Sequence, residues 1–178
     1  PMNKSVDVTI KGETALLMHA FPMVPVEAIE KKSIDEQAKI AEYRNPDGKL
    51  YVPSVALQRA LVSGATYSKG KGRGNLSKVV AACVIVTPEH LILDPQKYTV
   101  DSRPVVVPAT RGRVIRHRPR FDQWVISANI EWDPDLLTET QLRRVVDDTG
   151  KRVGLLDFRP EKKGPFGRYM VTSWVEKK

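Results

Sequence analysis

The sequence predicts an α+β fold, in which helices pack on an antiparallel sheet. Residues 5–11 and 124–132 alternate apolar and polar side chains, which is the period of a half-buried strand. Residues 55–62 and 136–149 carry apolar side chains at helical spacing. Together with further strand-like runs, these segments give a β-α-β-β-α-β order, which is the ferredoxin-like or RRM-like arrangement. An outer helix and an extended basic β-hairpin are added to this unit.

Length and composition indicate one globular domain over residues 1–178. Apolar residues make up 41% and charged residues 28% of the chain, as in ordinary soluble proteins. The apolar runs are shorter than the roughly 20 residues that span a bilayer, and the N-terminal residues lack a signal-peptide pattern. Cys83 is the one cysteine and lies in an apolar run, which is typical of a small core residue. The lack of a second cysteine excludes an internal disulfide and favours a reducing, cytoplasmic location.

Apolar spacing and turn residues predict the elements in order along the chain. In the first half they are a strand at 5–11 continued at 14–20 after a bulge, one outer helix at 26–44, a turn at 45–48, a short strand at 50–52 and a buried helix at 55–64. In the second half they are a central strand at 79–86, a short strand at 91–93, a hairpin at 98–123, a strand at 124–132, a helix at 136–149 capped by Gly150, and a last strand at 169–175. The tryptophan-bounded stripe at 124–132 is interpreted as core rather than as a base-stacking platform.

The segment at residues 98–123 is predicted to be a long, protruding β-hairpin, or thumb, that contacts nucleic acid. Short β-branched runs within it are separated by Pro104, Pro108 and an Arg-Gly-Arg turn. Between residues 102 and 121 it contains no acid. Crowding of one charge sign costs stability, and a bound polyanion would neutralise that cost. The candidate contact residues are Arg103, Arg111, Arg113, Arg116, His117, Arg118 and Arg120.

Two glycine-rich basic loops, at residues 69–78 and 153–171, are predicted to line the same nucleic-acid track. Glycine permits close approach of the backbone to a ligand, and the neighbouring cations supply charge for an anion. For the second loop an ordinary solvated hairpin loop is the alternative. The sequence lacks the spacing of a Walker loop or a dinucleotide-binding loop. The candidate cations are Lys69, Lys71, Arg73, Lys162, Lys163 and Arg168.

The charge balance favours a polyanionic partner. The formal net charge is +8 and the isoelectric point is about 9.6. A basic amphipathic helix with large apolar residues is missing, which argues against a membrane surface. His19, His90, His117 and Cys83 lack the spacing of metal ligands, so no metal site is expected. His19 is interpreted as a core or strand-end residue rather than as a general base.

Three stretches resemble the repeat-associated mysterious protein (RAMP) superfamily of CRISPR systems. The first is the opening strand with its T-A-L-L-M-H run at 14–19. The second, Y-V-P-S-V-A-L-Q-R-A-L at 51–61, is similar to the family's I-P-G-S-S-L-K-G helix start, with Gln58-Arg59 in place of Lys-Gly and one glycine missing. The third, G-P-F-G-R-Y-M-V at 164–171, is similar to the family's glycine-rich ending, G-x-G followed by a cation and alternating apolar residues.

Within this superfamily, the small size and the basic hairpin are most similar to the backbone subunit that polymerises along the guide RNA. The resemblance implies a homo-oligomer along a single strand, with other effector subunits as further partners. It also implies that the hairpin separates groups of bases, that the glycine-rich region lies near the RNA backbone, and that no cofactor is used.

The sequence therefore favours a non-catalytic subunit that binds single-stranded nucleic acid, RNA rather than DNA, in antiviral defence. Three alternatives stay open. A virus-encoded single-stranded DNA-binding protein would have the same fold. A metal-independent RAMP-type endoribonuclease would use a histidine as general base, with His117 best placed among cations. A protein that binds structured RNA, or an adaptor for protein partners, is the third.

Overall fold

The computed structural model describes residues 3–177, in which short strands and helices alternate. In chain order they are β1 (Lys4–Gly12), β2 (Leu16–Leu17), α1 (Val26–Glu30), α2 (Ile34–Ile40), β3 (Tyr51–Pro53), α3 (Ser54–Gly64), α4 (Ser77–Cys83), β4 (Val84–Thr87), β5 (His90–Ile92), β6 (Thr99–Val106), β7 (Arg113–Phe121), β8 (Val125–Trp132), α5 (Glu139–Asp148) and β9 (Tyr169–Lys177). A π-helical turn (Thr149–Val153) extends α5, and 3-10 turns lie at Ala65–Tyr67 and Pro160–Lys162.

A four-stranded antiparallel sheet forms the centre of the fold, in the order β4-β8-β1-β9. The helix α3 lies between β1 and β4 in the chain, and α5 lies between β8 and β9. Strand order and connections are therefore those of a β-α-β-β-α-β unit, which confirms the predicted α+β, ferredoxin-like fold. The strands β5, β6 and β7 are inserted between β4 and β8.

Alternation along the strands places the core on one face of this sheet. Val6, Val8 and Ile10 of β1 are buried. The stripe from Trp124 to Trp132 is buried as well, and both tryptophans are at most 1% exposed. The interpretation of this stripe as core is therefore confirmed. The helices α3 and α5 cover this face with the buried side chains Leu57, Leu61, Leu142, Val145 and Val146.

The prediction of a central strand at residues 79–86 was wrong. Most of this segment is the helix α4, and β4 begins only at Val84 and lies at the edge of the sheet. Leu76, Val80 and Cys83 are buried, at the spacing of one helical face. β-branched composition suggested a strand, but this face packs against α3, and the tertiary contact outweighs the local preference.

Two helix boundaries also differ from the prediction. The single helix predicted at 26–44 is divided into α1 and α2, because Ser33 starts a new helix with a capping box. Gly150 lies inside the π-helical turn, where the Tyr169 ring leaves no space for a Cβ atom. The turn ends instead at Gly154, whose φ of 74° suits a glycine at this position.

The strands β6 and β7 form the predicted hairpin, and β2 extends it to a three-stranded sheet. The helix α2 packs against β7 and holds the base of the hairpin against the rest of the fold. The tip, residues 107–112, is closed by a hydrogen bond of 2.9 Å from the Val107 amide to the Gly112 carbonyl. Across residues 3–177, the helices are all too short or too polar to cross a membrane.

Candidate nucleic-acid interface

Two grooves meet beside the base of the hairpin. Groove A has a volume of about 810 Å³ and lies between α3 and residues 154–162. Groove B has a volume of about 430 Å³ and lies between the hairpin and Phe158. His19, Asp157 and Lys162 line both grooves, so the two are joined at these side chains.

Strand alternation places several of the predicted contact residues on one face of the hairpin. Arg116, Arg118 and Arg120 of β7 share this face, and Asp101 and Arg103 of β6 lie opposite them. The register sets Arg103 directly opposite Arg116. Like charges in directly opposite positions destabilise a strand pair. This face therefore depends on nearby carboxylates or on a bound anion.

Arg118 is held inside the protein by Asp157. Its side chain is only 5% exposed, and its guanidinium donates a hydrogen bond to the Asp157 carboxylate. The ring of His19 lies beside the same carboxylate, with its Nδ1 3.6 Å from Asp157 Oδ2. Burial alone would raise the pKa of Asp157, but the interaction with His19 and the charge of Arg118 outweigh it and lower the pKa to about 2. The buried Arg118 thus has a half-buried carboxylate partner, which it shares with His19.

Arg103 and Arg120 are also engaged within the chain. Arg103 donates two hydrogen bonds to Asp101, at 2.7 Å and 2.8 Å, and these bonds lower the pKa of that carboxyl. Arg120 donates to Asp122 at 2.8 Å. Both guanidiniums lie over the ring of Phe166, 4.6 Å and 5.4 Å from its centroid. These arginines stiffen the base of the hairpin.

The tip of the hairpin is arranged differently. Arg111 and Arg113 are exposed, and Arg116 is half-buried in the wall of groove B. Within residues 3–177, the structure shows no ion pair for any of these three arginines, in contrast to those at the base. Lys162 is exposed and lines both grooves. These four cations are the predicted residues best placed to meet phosphates.

The other predicted contact residues lie outside the grooves. The cations of the 69–78 loop are exposed in a turn closed by a hydrogen bond of 2.9 Å from the Gly70 amide to the Gly74 carbonyl. Arg168 is exposed and donates to the Lys151 carbonyl at 3.0 Å. The outlying candidates are Lys69, Lys71, Arg73, Lys163, Arg168 and, on the opposite face of β7, His117, whose Nδ1 lies 2.6 Å from Ser102 Oγ.

Sequence reasoning missed Arg59 and Phe158 as groove residues. Arg59 is exposed on α3 and lines groove A. Its signal was the motif at 51–61, whose Gln58 side chain donates to the Val84 carbonyl at 2.7 Å and accepts from the Val86 amide at 3.1 Å. These two bonds fasten α3, which carries Arg59, to the edge strand β4. The sequence led us to interpret Phe158 as a core residue that anchors the last strand, but Phe158 is exposed and lines groove B.

The loop at residues 154–167 has an unusual backbone. Leu156, Phe158 and Lys163 have φ values of 59°, 47° and 64°, in the left-handed region that non-glycine residues rarely occupy. Gly167 also has a positive φ, and a Cβ atom on it would collide with the Leu155 carbonyl oxygen. The loop is thus held in one shape by close backbone packing.

The open face of the four-stranded sheet differs from the grooves. Its outward positions on β1 and β8 carry small polar and charged side chains, among them Asp7, Thr9, Ser127 and Asn129. Asn129 donates to the Asp7 carboxylate at 2.9 Å. An RRM stacks bases on aromatic side chains at these positions, so this sheet face lacks the means for that mode of binding. For the described residues 3–177, the structure shows no cluster of three or more side chains suited to a metal ion.

Comparison with known proteins gives matches among structures only. No protein-family model matches the chain, and no curated protein matches it. Among solved structures 45 chains match. One belongs to the cryo-EM structure of the type III-B Cmr-beta bound to cognate target RNA, with a TM-score of 0.62 and 12% sequence identity. The alignment covers 99% of this chain and 61% of that chain, so this chain spans about three-fifths of its neighbour's length. At this identity the likeness establishes the fold.

Proposed function

We propose that the protein is a non-catalytic subunit that binds single-stranded RNA and assembles along the strand in a CRISPR-type effector complex of the cytoplasm. The RAMP-like motifs and the fold shared with a chain of an RNA-bound assembly support this assignment. The grooves beside the hairpin supply the binding surface. Other effector subunits would be its further partners.

The observation that carries the proposal is the pairing of Arg103 with Arg116 across the hairpin. Asp101 neutralises Arg103, whereas Arg116 has no such carboxylate within residues 3–177. The positive charge of Arg116 is therefore not neutralised within residues 3–177, and a phosphate beside it would neutralise that charge. A polyanion is therefore the partner that this face fits.

The grooves define a path for the strand. From Arg59 in groove A it passes Lys162 at the junction, continues along Arg116 in groove B, and reaches Arg111 and Arg113 at the tip. Phosphate contacts of this kind give affinity and salt dependence without sequence choice. Such sequence-tolerant contacts suit a subunit that repeats along a strand.

Binding across a range of salt concentrations tests the proposal. Labelled single-stranded RNA, single-stranded DNA and duplex RNA are titrated with the protein, and fluorescence anisotropy is measured. Replacing Arg111, Arg113 and Arg116 by alanine removes three phosphate contacts. The slope of log K against log salt should then become shallower by about 2, since each contact on a single strand contributes about 0.7.

The matched control removes three exposed lysines that line neither groove and that make no ion pair within residues 3–177, with Lys11, Lys31 and Lys49 replaced by alanine. This variant should keep a slope close to that of the wild type. Equal slopes for both variants would overturn the hairpin as the contact surface. Tighter binding to DNA than to RNA would favour the single-stranded DNA-binding alternative, and binding to folded RNA alone would favour the third one. Particle imaging should show oligomers along unstructured RNA.

A second candidate, a metal-independent endoribonuclease, is favoured by the position of His19. Sequence reasoning ranked His117 first among the histidines, but His117 lies beside Ser102 on the other face of β7. His19 lines both grooves, and Asp157 orients its ring. A histidine oriented by a carboxylate, with Lys162 at the same junction, is a suitable general base for attack of a ribose hydroxyl.

Incubation with single-stranded RNA in the presence of a chelator separates the two functions. A non-catalytic subunit leaves the RNA intact. Cleavage that is lost in His19→Ala and kept in His117→Ala would establish the endoribonuclease. Cleavage that survives both substitutions would point to a contaminating nuclease.

A further inference from the structure

We propose that groove B binds one unstacked base of the strand and that Phe158 is the residue on which this base stacks. This inference rests on the proposed function, since it requires that a single strand lies in the grooves. It adds a base-binding site to a surface described so far by its phosphate contacts.

The aromatic side chains of the protein point to Phe158. Among residues 3–177, Phe21, Tyr67 and Phe158 are the exposed aromatic residues. Tyr67 lines neither groove, and its ring lies beside Arg152, with 4.7 Å between the guanidinium carbon and the ring centroid. Phe21 projects from the loop before α1 and is 85% exposed. Of the three, only Phe158 lines a groove that also contains arginines.

Groove B has the chemistry of a base pocket. Val105, Val107 and Pro108 of the hairpin form an apolar wall that faces Phe158, and Arg116 and Lys162 add positive charge to the lining. Its volume of about 430 Å³ lies within the range of small-ligand sites. A nucleotide matches this pattern, because its base is flat and largely apolar on its faces while its phosphate is an anion.

The backbone at Phe158 gives an independent reason. A φ of 47° is unfavourable for a phenylalanine, and strain of this kind persists where the surroundings enforce it. The surroundings here are the Phe166 amide, which donates to the Phe158 carbonyl at 3.1 Å, and Gly164, on which a Cβ atom would collide with that same carbonyl. A core role does not account for this conformation, since Phe158 is 37% exposed as a residue. The strain instead holds the ring in the wall of the groove.

The ring of Phe158 also has a supporting partner. It lies 5.9 Å from the buried ring of Phe166, centroid to centroid. Arg103 lies 5.6 Å from the Phe158 centroid and is itself fixed by Asp101. A stacking residue that is already ordered loses little entropy on binding. Since the open sheet face carries no RRM-type aromatic positions on β1 and β8, Phe158 supplies the ring that a base requires.

The test uses single-stranded RNA with 2-aminopurine at one position, scanned along the strand. Stacking on Phe158 should quench the fluorescence at one position of the repeat in the wild type and in Phe158→Trp. Phe158→Leu should restore the fluorescence and weaken binding by about 5- to 150-fold, the range for loss of one stacked base. Phe21→Leu and Tyr67→Leu serve as matched controls and should behave as the wild type does.

A second measurement does not depend on the folding of the variant. An RNA with an abasic site at the quenched position should bind the wild type more weakly, by a similar factor. The Phe158→Leu variant should bind the abasic RNA and the intact RNA with equal affinity. If the RNA binds with the expected salt slope but Phe158→Leu changes neither quenching nor affinity, the base pocket is overturned and the proposed function stands. If the protein binds no single-stranded RNA at all, both the proposed function and the base pocket are overturned.

Discussion

The base and the tip of the hairpin carry the same residue type in two different roles. At the base, Arg103, Arg118 and Arg120 are engaged with the carboxylates of Asp101, Asp157 and Asp122. At the tip, Arg111 and Arg113 extend into solvent. The first group stabilises the fold and the second is available to a ligand.

The difference shows how carboxylates from outside a basic run divide it. The run between residues 102 and 121 contains no acid. Asp101 and Asp122 flank it, however, and Asp157 contacts it from a loop that lies far along the chain. Strand alternation brings Arg118 onto the face that Asp157 reaches. Charge density along the sequence therefore overstates the number of arginines that a nucleic acid can contact.

Removing the carboxylate at the base should have the largest effect. Asp157→Ala leaves Arg118 buried without its partner and should lower the free energy of unfolding by about 3–5 kcal/mol. Chemical denaturation measures this loss. Replacing Arg118 and Asp157 together by leucine should cost much less, because no charge is then left buried. A loss below about 1 kcal/mol for Asp157→Ala would mean that the base and the tip do not differ in this way.

Acid pH should lower the free energy of unfolding through the same Arg118–Asp157 contact, by less than Asp157→Ala does. Because the pKa of Asp157 is lowered to about 2 in the folded protein, its contribution is complete above the unfolded pKa near 4 and is lost as the pH falls toward 2. The partial exposure of Asp157 reduces the expected loss to about 1–2 kcal/mol. Denaturation at a series of pH values should show this component in the wild type, and Asp157→Asn should lack it.

Relief of backbone strain should have a smaller effect of opposite sign. Lys163 has a φ of 64° at the end of a 3-10 turn, so Lys163→Gly should raise the free energy of unfolding by about 0.5–1 kcal/mol. Lys162→Gly removes the same charge from the adjacent position inside the turn and should lower stability. Thermal denaturation of the pair measures the difference. Equal melting temperatures would show that the loop is not strained at Lys163.

Substitutions at the tip should have the smallest effect on the free energy of unfolding. Among residues 3–177 the side chains of Arg111 and Arg113 make no ion pair or hydrogen bond, so replacing both by alanine should leave the melting temperature at the wild-type value. The same double variant should bind RNA with a shallower salt dependence. A large drop in melting temperature would place the tip among the structural arginines, together with the base.

Much of the fold could be predicted from local patterns. The strands at 5–11 and 124–132 and the helix α3 were recognisable because their apolar period matches a half-buried element. The helix at 79–83 was not recognisable in this way, because a continuous apolar run fits a helix as well as a strand. Only its contact with α3 selects the helix. Gly150 was misread for a related reason, because its small size serves the packing of Tyr169 rather than a helix cap.

The candidate site was predictable as a region but not as a set of residues. Arg116 and Lys162 were recognised by charge and do line the grooves. Arg118 was recognised by the same criterion, although it is buried. Phe158 was expected in the core, and its exposure was not predictable because it depends on a backbone conformation that phenylalanine does not prefer.

The amino-acid order was sufficient for the α+β order of elements, the basic hairpin and the positive net charge, because periodicity and net charge are local or additive properties. The tertiary structure was required for the partners of each arginine and for the position of His19 and Phe158 in the grooves. Those depend on contacts between residues far apart in the chain, such as Arg118 with Asp157, and such pairings are decided only when the loop at 154–167 packs against the base of the hairpin.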